Sequence, residues 1–235
     1  MLDLSQKEIT EVVDKVMRER KSVRAFLPTP IPEEEIRALL QVAARAPSGS
    51  NIQPWHVYVV SGDKQIALGA EMLEAFLDPE KNKLCRAEYD YYPKNWIEPF
   101  LSRRRKVGFA LYDLLGIGKG DRSEMQRQHG RNFTFFDAPV ALFFTMNRIL
   151  EQGSWLDSGM FIQNVMLAAK ARGLDTCAQA AFCQYHEIIA RHLNIPPDQQ
   201  LVCGLSLGYE DTSKPENSLI SDRENVDVFT TFITS

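Results

Sequence analysis

The chain has 235 residues, with 27 Lys and Arg against 31 Asp and Glu and a formal net charge of −4. That balance gives no general attraction to nucleic acid, and 44% hydrophobic with 25% charged residues is the make-up of a soluble globular protein. The longest apolar runs, such as Ala141 to Met146, are far too short to span a bilayer, and the length suits one large domain, with or without an inserted subdomain.

The opening Met1-Leu2-Asp3-Leu4-Ser5 lacks the basic and apolar regions of a signal peptide, so the cytoplasm is the expected compartment. Ser5-Gln6-Lys7-Glu8 is a capping-box pattern, and Ile9, Val12, Val13, Val16 and Met17 repeat behind it at helical spacing. This helix is predicted to end on Arg20-Lys21-Ser22-Val23-Arg24. Two guanidinium forks and a hydroxyl match a phosphate; a solvated basic helix end is the plain alternative. A second helix is expected from Pro32-Glu33-Glu34, where proline and acids suit a first turn. Its stripe is Ile36, Leu39, Leu40, Ala43 and Ala44, and Pro47 stops it. Ala46-Pro47-Ser48-Gly49-Ser50-Asn51-Ile52-Gln53-Pro54-Trp55 then leads to a strand, His56 to Val60, closed by Ser61-Gly62. Two prolines, a glycine and two amides hold backbone donors and acceptors for a flat, polar-edged ligand, or form an ordinary helix-to-strand connection.

Residues 79–131 carry Tyr89, Tyr91, Tyr92, Trp96, Phe100, Arg103-Arg104-Arg105-Lys106 and Gly116-Ile117-Gly118. They read as a helical excursion plus a loop outside the sheet, the basic run a solvated face, the aromatics either core or ligand wall. Val140 to Met146 and Leu201 to Leu207 are apolar enough for central strands. Trp155 to Arg172 is a long helix ended by Gly173. Its Leu156, Met160, Phe161, Ile162, Val165, Met166 and Ala169 occupy several faces, and burial between two subunits is the simplest expectation. Past Arg223, Val228-Phe229-Thr230-Thr231-Phe232 has a strand-like pattern, expected to cross to a partner subunit and pair at a sheet edge. Cys85, Cys177, Cys183 and Cys203 form no C-x-x-C pair, and His56, His129, His186 and His192 stand at no zinc spacing, so neither a disulfide nor a metal is expected.

Arg20-Lys21-Ser22-Val23-Arg24 followed by Pro47-Ser48-Gly49-Ser50-Asn51-Ile52-Gln53-Pro54-Trp55 resembles the nitroreductase family of FMN-dependent flavoenzymes. Phe135-Phe136-Asp137-Ala138-Pro139-Val140, Gly173-Leu174-Asp175-Thr176-Cys177-Ala178-Gln179 and Gly204-Leu205-Ser206-Leu207-Gly208-Tyr209 agree with that family in order, so the resemblance runs from about Arg20 to Arg223. It implies an α+β fold with a central, mostly antiparallel sheet flanked by helices. It also implies one domain over residues 1–235 with 79–131 as a substrate-side lid, an intertwined homodimer formed through the long helix, and a tail, 221–235, exchanged with the partner. The implied cofactor is FMN, with NADH or NADPH as co-substrate. The implied reaction is ping-pong hydride transfer to nitroaromatic or quinone-like acceptors, both partners using one site in turn.

By the same resemblance the FMN phosphate falls to Arg20, Ser22 and Arg223, with Lys21 in the same run. Arg24 falls beside flavin N1 and the C2 carbonyl, where a fixed cation stabilises the reduced ring. Pro47, Ser48, Gly49 and Asn51 resemble the loop that reaches the flavin from the partner subunit, and Gln53 joins through its amide. Ala180 stands where a backbone N–H meets N5; an acidic residue found near there in some relatives is absent. Tyr92 and Trp96 fall in the lid beside substrate. No side chain stands out as a general acid or base, and no G-x-G-x-x-G follows a strand, so a separate dinucleotide domain is not indicated.

A rival on the same fold is reductive dehalogenation, since Glu88 and Tyr92 resemble the zwitterion clamp of the deiodinase branch, with Lys94 or Lys106 as the cation. The other rival is a flavin-binding protein without turnover. Arg24 argues against it, because storage needs no stabilised reduced ring.

Overall fold

Glu8 N–H donates to Ser5 Oγ at 3.3 Å and Ser5 N–H to Glu8 Oε2 at 2.8 Å, so the capping box forms in the computed structural model, which describes residues 4–234. Residues 1–3 of the opening segment and Ser235 at the end of the tail lie outside the described residues. The helix so capped, α1 (Gln6–Glu19), buries none of its residues; Ile9, Val12, Val13 and Met17 are all exposed. After β1 (Phe26–Leu27), α2 (Glu33–Ala43) opens on three acids behind Pro32 and buries Ile36, Leu39 and Ala43. Strand β2 (His56–Ser61) runs directly into α3 (Gly62–Leu77). Ser61-Gly62 reads as a stop in sequence, yet Gly62 at φ +60° turns the chain straight into a helix that the apolar pattern left unread.

Residues 79–131 are the expected helical excursion. They hold α4 (Pro79–Leu84), α5 (Phe100–Leu114) and α6 (Arg122–Gly130), and none of them joins the sheet. The chain continues through β3 (Val140–Asn147), α7 (Gln152–Lys170), β4 (Asp175–Gln179), α8 (His186–Leu193), β5 (Gln199–Glu210) and α9 (Val226–Phe229). Gly173 closes α7 at φ +72°. Its N–H bonds to Lys170 O at 3.1 Å and Leu174 N–H bonds to Ala169 O at 3.0 Å, the paired bonds of a Schellman end.

Every ladder is antiparallel: β2 on β3, β3 on β5, β4 on β5, and β1 on the last residues of β5. Strand β3 divides the core by its period of two. Ala141 and Phe143 pack with Leu68, Met72, Phe133 and Phe182 on one side, and Val140, Leu142, Phe144 and Met146 with Leu39, Phe161 and Val165 on the other. With α3 and α8 over the first layer and α2 and α7 over the second, the α+β architecture is the one expected. Among the described residues no helix is long and apolar enough to cross a membrane.

Two expectations change. Ile162 and Val165 of α7 are buried in the chain's own core, so the several apolar faces divide between that core and an outer face where Leu156 and Met160 are exposed. The tail is not a strand. Asn225 accepts the Asp227 N–H at 3.1 Å and caps a short helix, and that local hydrogen bond outweighs the alternating Val-Asp-Val pattern.

Candidate active site

The segment before β1 is laid along β4: Val23 N–H donates to Thr176 O at 3.0 Å, beside a Ser22–Thr176 bridge. This brings Arg24 to a cavity of about 730 Å³, with Cys177, Gln179 and Ala180 on the sheet side and Tyr91, Tyr92, Arg104 and Tyr112 on the side of residues 79–131. The Arg24 backbone N–H donates to Asn217 Oδ1 at 2.7 Å, and its guanidinium donates to Ser22 O at 3.2 Å. Ala180 begins the 3-10 turn Ala180–Tyr185. The first N–H groups of such a turn have no acceptor within it, which leaves a donor for a ligand. Burial pushes the Cys177 thiol up to about 11, with the Arg24 charge opposing, so it stands in the wall as a neutral thiol.

Arg20, at the end of α1, is partly buried and lies close enough to Arg223 to feel its charge. Burial first and the Arg223 guanidinium second lower its hold on its proton. Neither has a carboxylate partner among the described residues; Arg223 spends one nitrogen on Ser221 O, Ser221 Oγ and Asp222 O. Arg20, partly desolvated and near a like charge, would be stabilised by an anion such as a phosphate dianion. The residues present therefore fit an FMN phosphate. Lys21, read in the same run, is engaged elsewhere: its Nζ donates to Glu210 Oε1 at 2.7 Å and Asn217 O at 2.6 Å.

Pro47, Ser48, Gly49, Asn51 and Gln53 do not line the cavity that holds Arg24 and Ala180 in the same chain. Their loop is nonetheless shaped: Ser50, Asn51 and Gln53 have φ of 48°, 59° and 47°, and Gln53 N–H donates to Ser48 Oγ at 3.0 Å. Non-glycine residues held there cost of order 1–3 kcal/mol each and cluster at ligand clamps. Within the excursion, Tyr92 lines the cavity while Trp96 stands behind Arg104. Glu88 is not in the lining: its carboxylate meets Arg148 at 2.5 Å, His186 Nδ1 at 3.5 Å and the Leu201 N–H at 3.3 Å. Lys94 reaches Asp90 at 3.9 Å, and Lys106 reaches Asp222 at 2.5 Å.

The sequence reading missed the residues that hold this frame. Gln179, buried, donates to Asn132 O at 3.0 Å and Asn132 Oδ1 at 3.1 Å and accepts from Ser206 Oγ at 2.5 Å. Asn217 donates to Ala25 O at 2.8 Å and Asp211 O at 2.9 Å while it holds Arg24. Asp157, buried on α7, accepts the Gly49 N–H at 3.3 Å. Isolated amides and acids carry no periodic signal; the one cue was Asp157, an acid inside an otherwise apolar helix.

The model of the nitroreductase family matches residues 17–209. The nitrobenzene nitroreductase of Ectopseudomonas oleovorans is 40% identical over 221 residues, covering 94% of this chain and 96% of that protein. The 4-nitrobenzoate reductase of Nocardioides sp. (strain LMS-CY) is 40% identical over 95% of this chain and 90% of its own. Among solved structures, the FMN and NADPH-dependent nitroreductase NfnB from Sphigopyxis sp. strain HMH superposes with a TM-score of 0.90 at 34% identity, covering 95% of this chain and 99% of that one.

Proposed function

This chain belongs to the nitroreductase family, and from that premise we propose that it is an FMN-dependent oxidoreductase that uses NADPH or NADH to reduce nitroaromatic acceptors. The observation that carries the proposal is the cavity that brings Arg24 and the start of the Ala180–Tyr185 turn together; Arg20 and Arg223, which have no carboxylate partner among the described residues, would supply the phosphate contacts. Arg20, Ser22 and Arg223 would hold that phosphate, Arg24 would face the electron-rich edge of the reduced ring, and the Ala180 N–H would meet its reacting nitrogen. Bound FMN supplies the hydride chemistry. The chain's own groups bind, orient and exclude water, and donor and acceptor use the one cavity in turn.

The active unit we infer is a homodimer, and three features support it. The apolar stripe of α1 lies uncovered, Leu156 and Met160 of α7 face outward, and the Pro47–Gln53 loop is shaped yet remote from its own chain's cavity. Val228, Phe229 and Phe232 are exposed in the tail, which fits its exchange with the partner. Residues 79–131 act as the substrate lid of a single domain. The cytoplasm, which supplies NADPH and NADH, is the compartment we assign. A dehalogenating clamp would need the Glu88 carboxylate that Arg148 and His186 already hold, so nitro reduction is the better reading.

The test is direct. The purified protein should be yellow, release close to one FMN per chain on denaturation, bleach with NADPH or NADH, and regain colour with nitrobenzene. A colourless protein that no FMN reconstitutes would overturn the reading.

A further inference from the structure

The basic run of α5 divides its charges unequally. Arg103 Nε meets Glu224 at 2.9 Å and Lys106 meets Asp222 at 2.5 Å, both tied to the segment before α9. Arg104, between them, has no carboxylate partner and no hydrogen bond to protein among the described residues, and it lines the cavity. Its guanidinium carbon lies 5.5 Å from the Tyr92 ring and 5.0 Å from the Trp96 ring. Those contacts seat the cation against the two rings. The N–H groups lie in the plane and stay unspent, in the fork that meets both oxygens of a carboxylate.

We propose that Arg104 is a specificity-determining residue that reads a negatively charged substituent on the acceptor, so that aromatic nitro acids are preferred to neutral nitroarenes. Resting on the nitroreductase reading of the cavity, it names the substrate class for that site. The other cation in the lining, Arg24, is fixed on the sheet side by Asn217 and Ser22. Arg104 belongs to the opposite wall, with Tyr91, Tyr92 and Tyr112 beside it to flank an aromatic ring. The charges also say what is not preferred. Asp90 is the one carboxylate in the lining and it lies near Lys94, while Glu88 is committed elsewhere. The lining thus sets two arginines against one exposed carboxylate already near a lysine, a balance that favours a simple anion over an amino-acid zwitterion.

The experiment uses FMN-loaded protein, native and with Arg104→Gln or Arg104→Lys. The kcat/KM ratio of 4-nitrobenzoate to nitrobenzene should fall about 10- to 100-fold in Arg104→Gln and recover in part in Arg104→Lys, as loss of a charged hydrogen-bonded pair requires. A phosphate of the nicotinamide nucleotide is the other anion that could seek this fork. If the rate of flavin reduction by NADPH falls while the acceptor ratio holds, the nucleotide is what Arg104 reads and the proposal is overturned. Binding of benzoate and benzamide, followed by calorimetry, separates this proposal from the nitroreductase reading because neither is reduced. Arg104→Gln should weaken benzoate about 10- to 100-fold more than benzamide. Equal weakening of both, or of neither, would overturn the role of Arg104 whatever the enzyme reduces.

Discussion

The two walls of the cavity are built by different physics. On the sheet side, Cys177 and Gln179 hang from the β4–β5 ladder with Ala180 just past its end, Gln179 is sealed by three side-chain hydrogen bonds, and Phe182 is fully buried against Phe133, Phe135 and Phe143. On the side of residues 79–131, Tyr91 and Tyr92 are 58% and 55% exposed, and Phe109, on α5 outside the lining, is 59% exposed. There the order comes from edge-on and tilted ring contacts and from ion pairs at the surface, which salt screens. Tyr89 is the exception, donating to Val202 O and standing edge-on to Trp155, and it pins this segment to the core. A wall held by ladder and core suits a cofactor that must keep its place. A wall held by surface contacts can change its side chains, and so its substrate, at little cost to the fold.

The largest effect should separate the two walls by stability. Phe182→Ala should cost about 3–5 kcal/mol by urea unfolding, since it empties the site beneath Gly204, where an added Cβ would lie 2.3 Å from the Phe182 ring. Phe109→Ala should fall within about 0.5 kcal/mol of the native chain. Equal losses at the two positions would end the distinction.

Next comes the cofactor. Arg20→Ala would leave the phosphate partly unpaired and should weaken FMN by about 30- to 1,000-fold, about 2–4 kcal/mol, in a fluorescence titration of flavin-free protein. Arg103→Ala on α5, titrated in parallel, should change FMN affinity far less. Smaller still, Asp157→Ala removes the acceptor of the Gly49 N–H and should cost about 1–3 kcal/mol. Faster amide exchange at Gly49 is the readout that ties the loss to the Pro47–Gln53 loop.

The contrast between the walls also explains what the sequence could show. Elements written by periodicity were legible: the capped α1, the stripe of α2, the apolar β3 and β5, and the Schellman glycine at 173. Elements that exist because of what they pair with were not. Asp175–Gln179 becomes a strand because β5 offers it an edge, and Gly62 opens α3 because it can take a positive φ. Arg24 was legible through its spacing from Arg20, but Asn217, which orients it from 193 positions away, gives no local sign. The tail misled for the opposite reason: alternation over five residues is weaker than one Asn225 side-chain cap.

The smallest predicted effect lies at the seam of the two walls. His129, in the last turn of α6, lines the cavity with its ring 5.1 Å from Phe76 and 18° from coplanar with Phe133. His129 keeps an exposed edge, and the partial desolvation of its ring against these neighbours lowers its pKa, because the charged form loses hydration and gains no carboxylate. The folded pKa therefore lies below the unfolded value of about 6.5, so protons bind the unfolded chain more readily. The stability His129 contributes is complete above pH of about 6.5 and is lost as pH falls through its folded pKa. Between pH 7.5 and 5.5 the native chain should thus lose more urea resistance than His129→Gln, in which the other titrating groups are the same. Equal losses in the two chains would mean that the exposed edge of His129 keeps its charged form hydrated, and the seam would then belong to the loose wall rather than to the core.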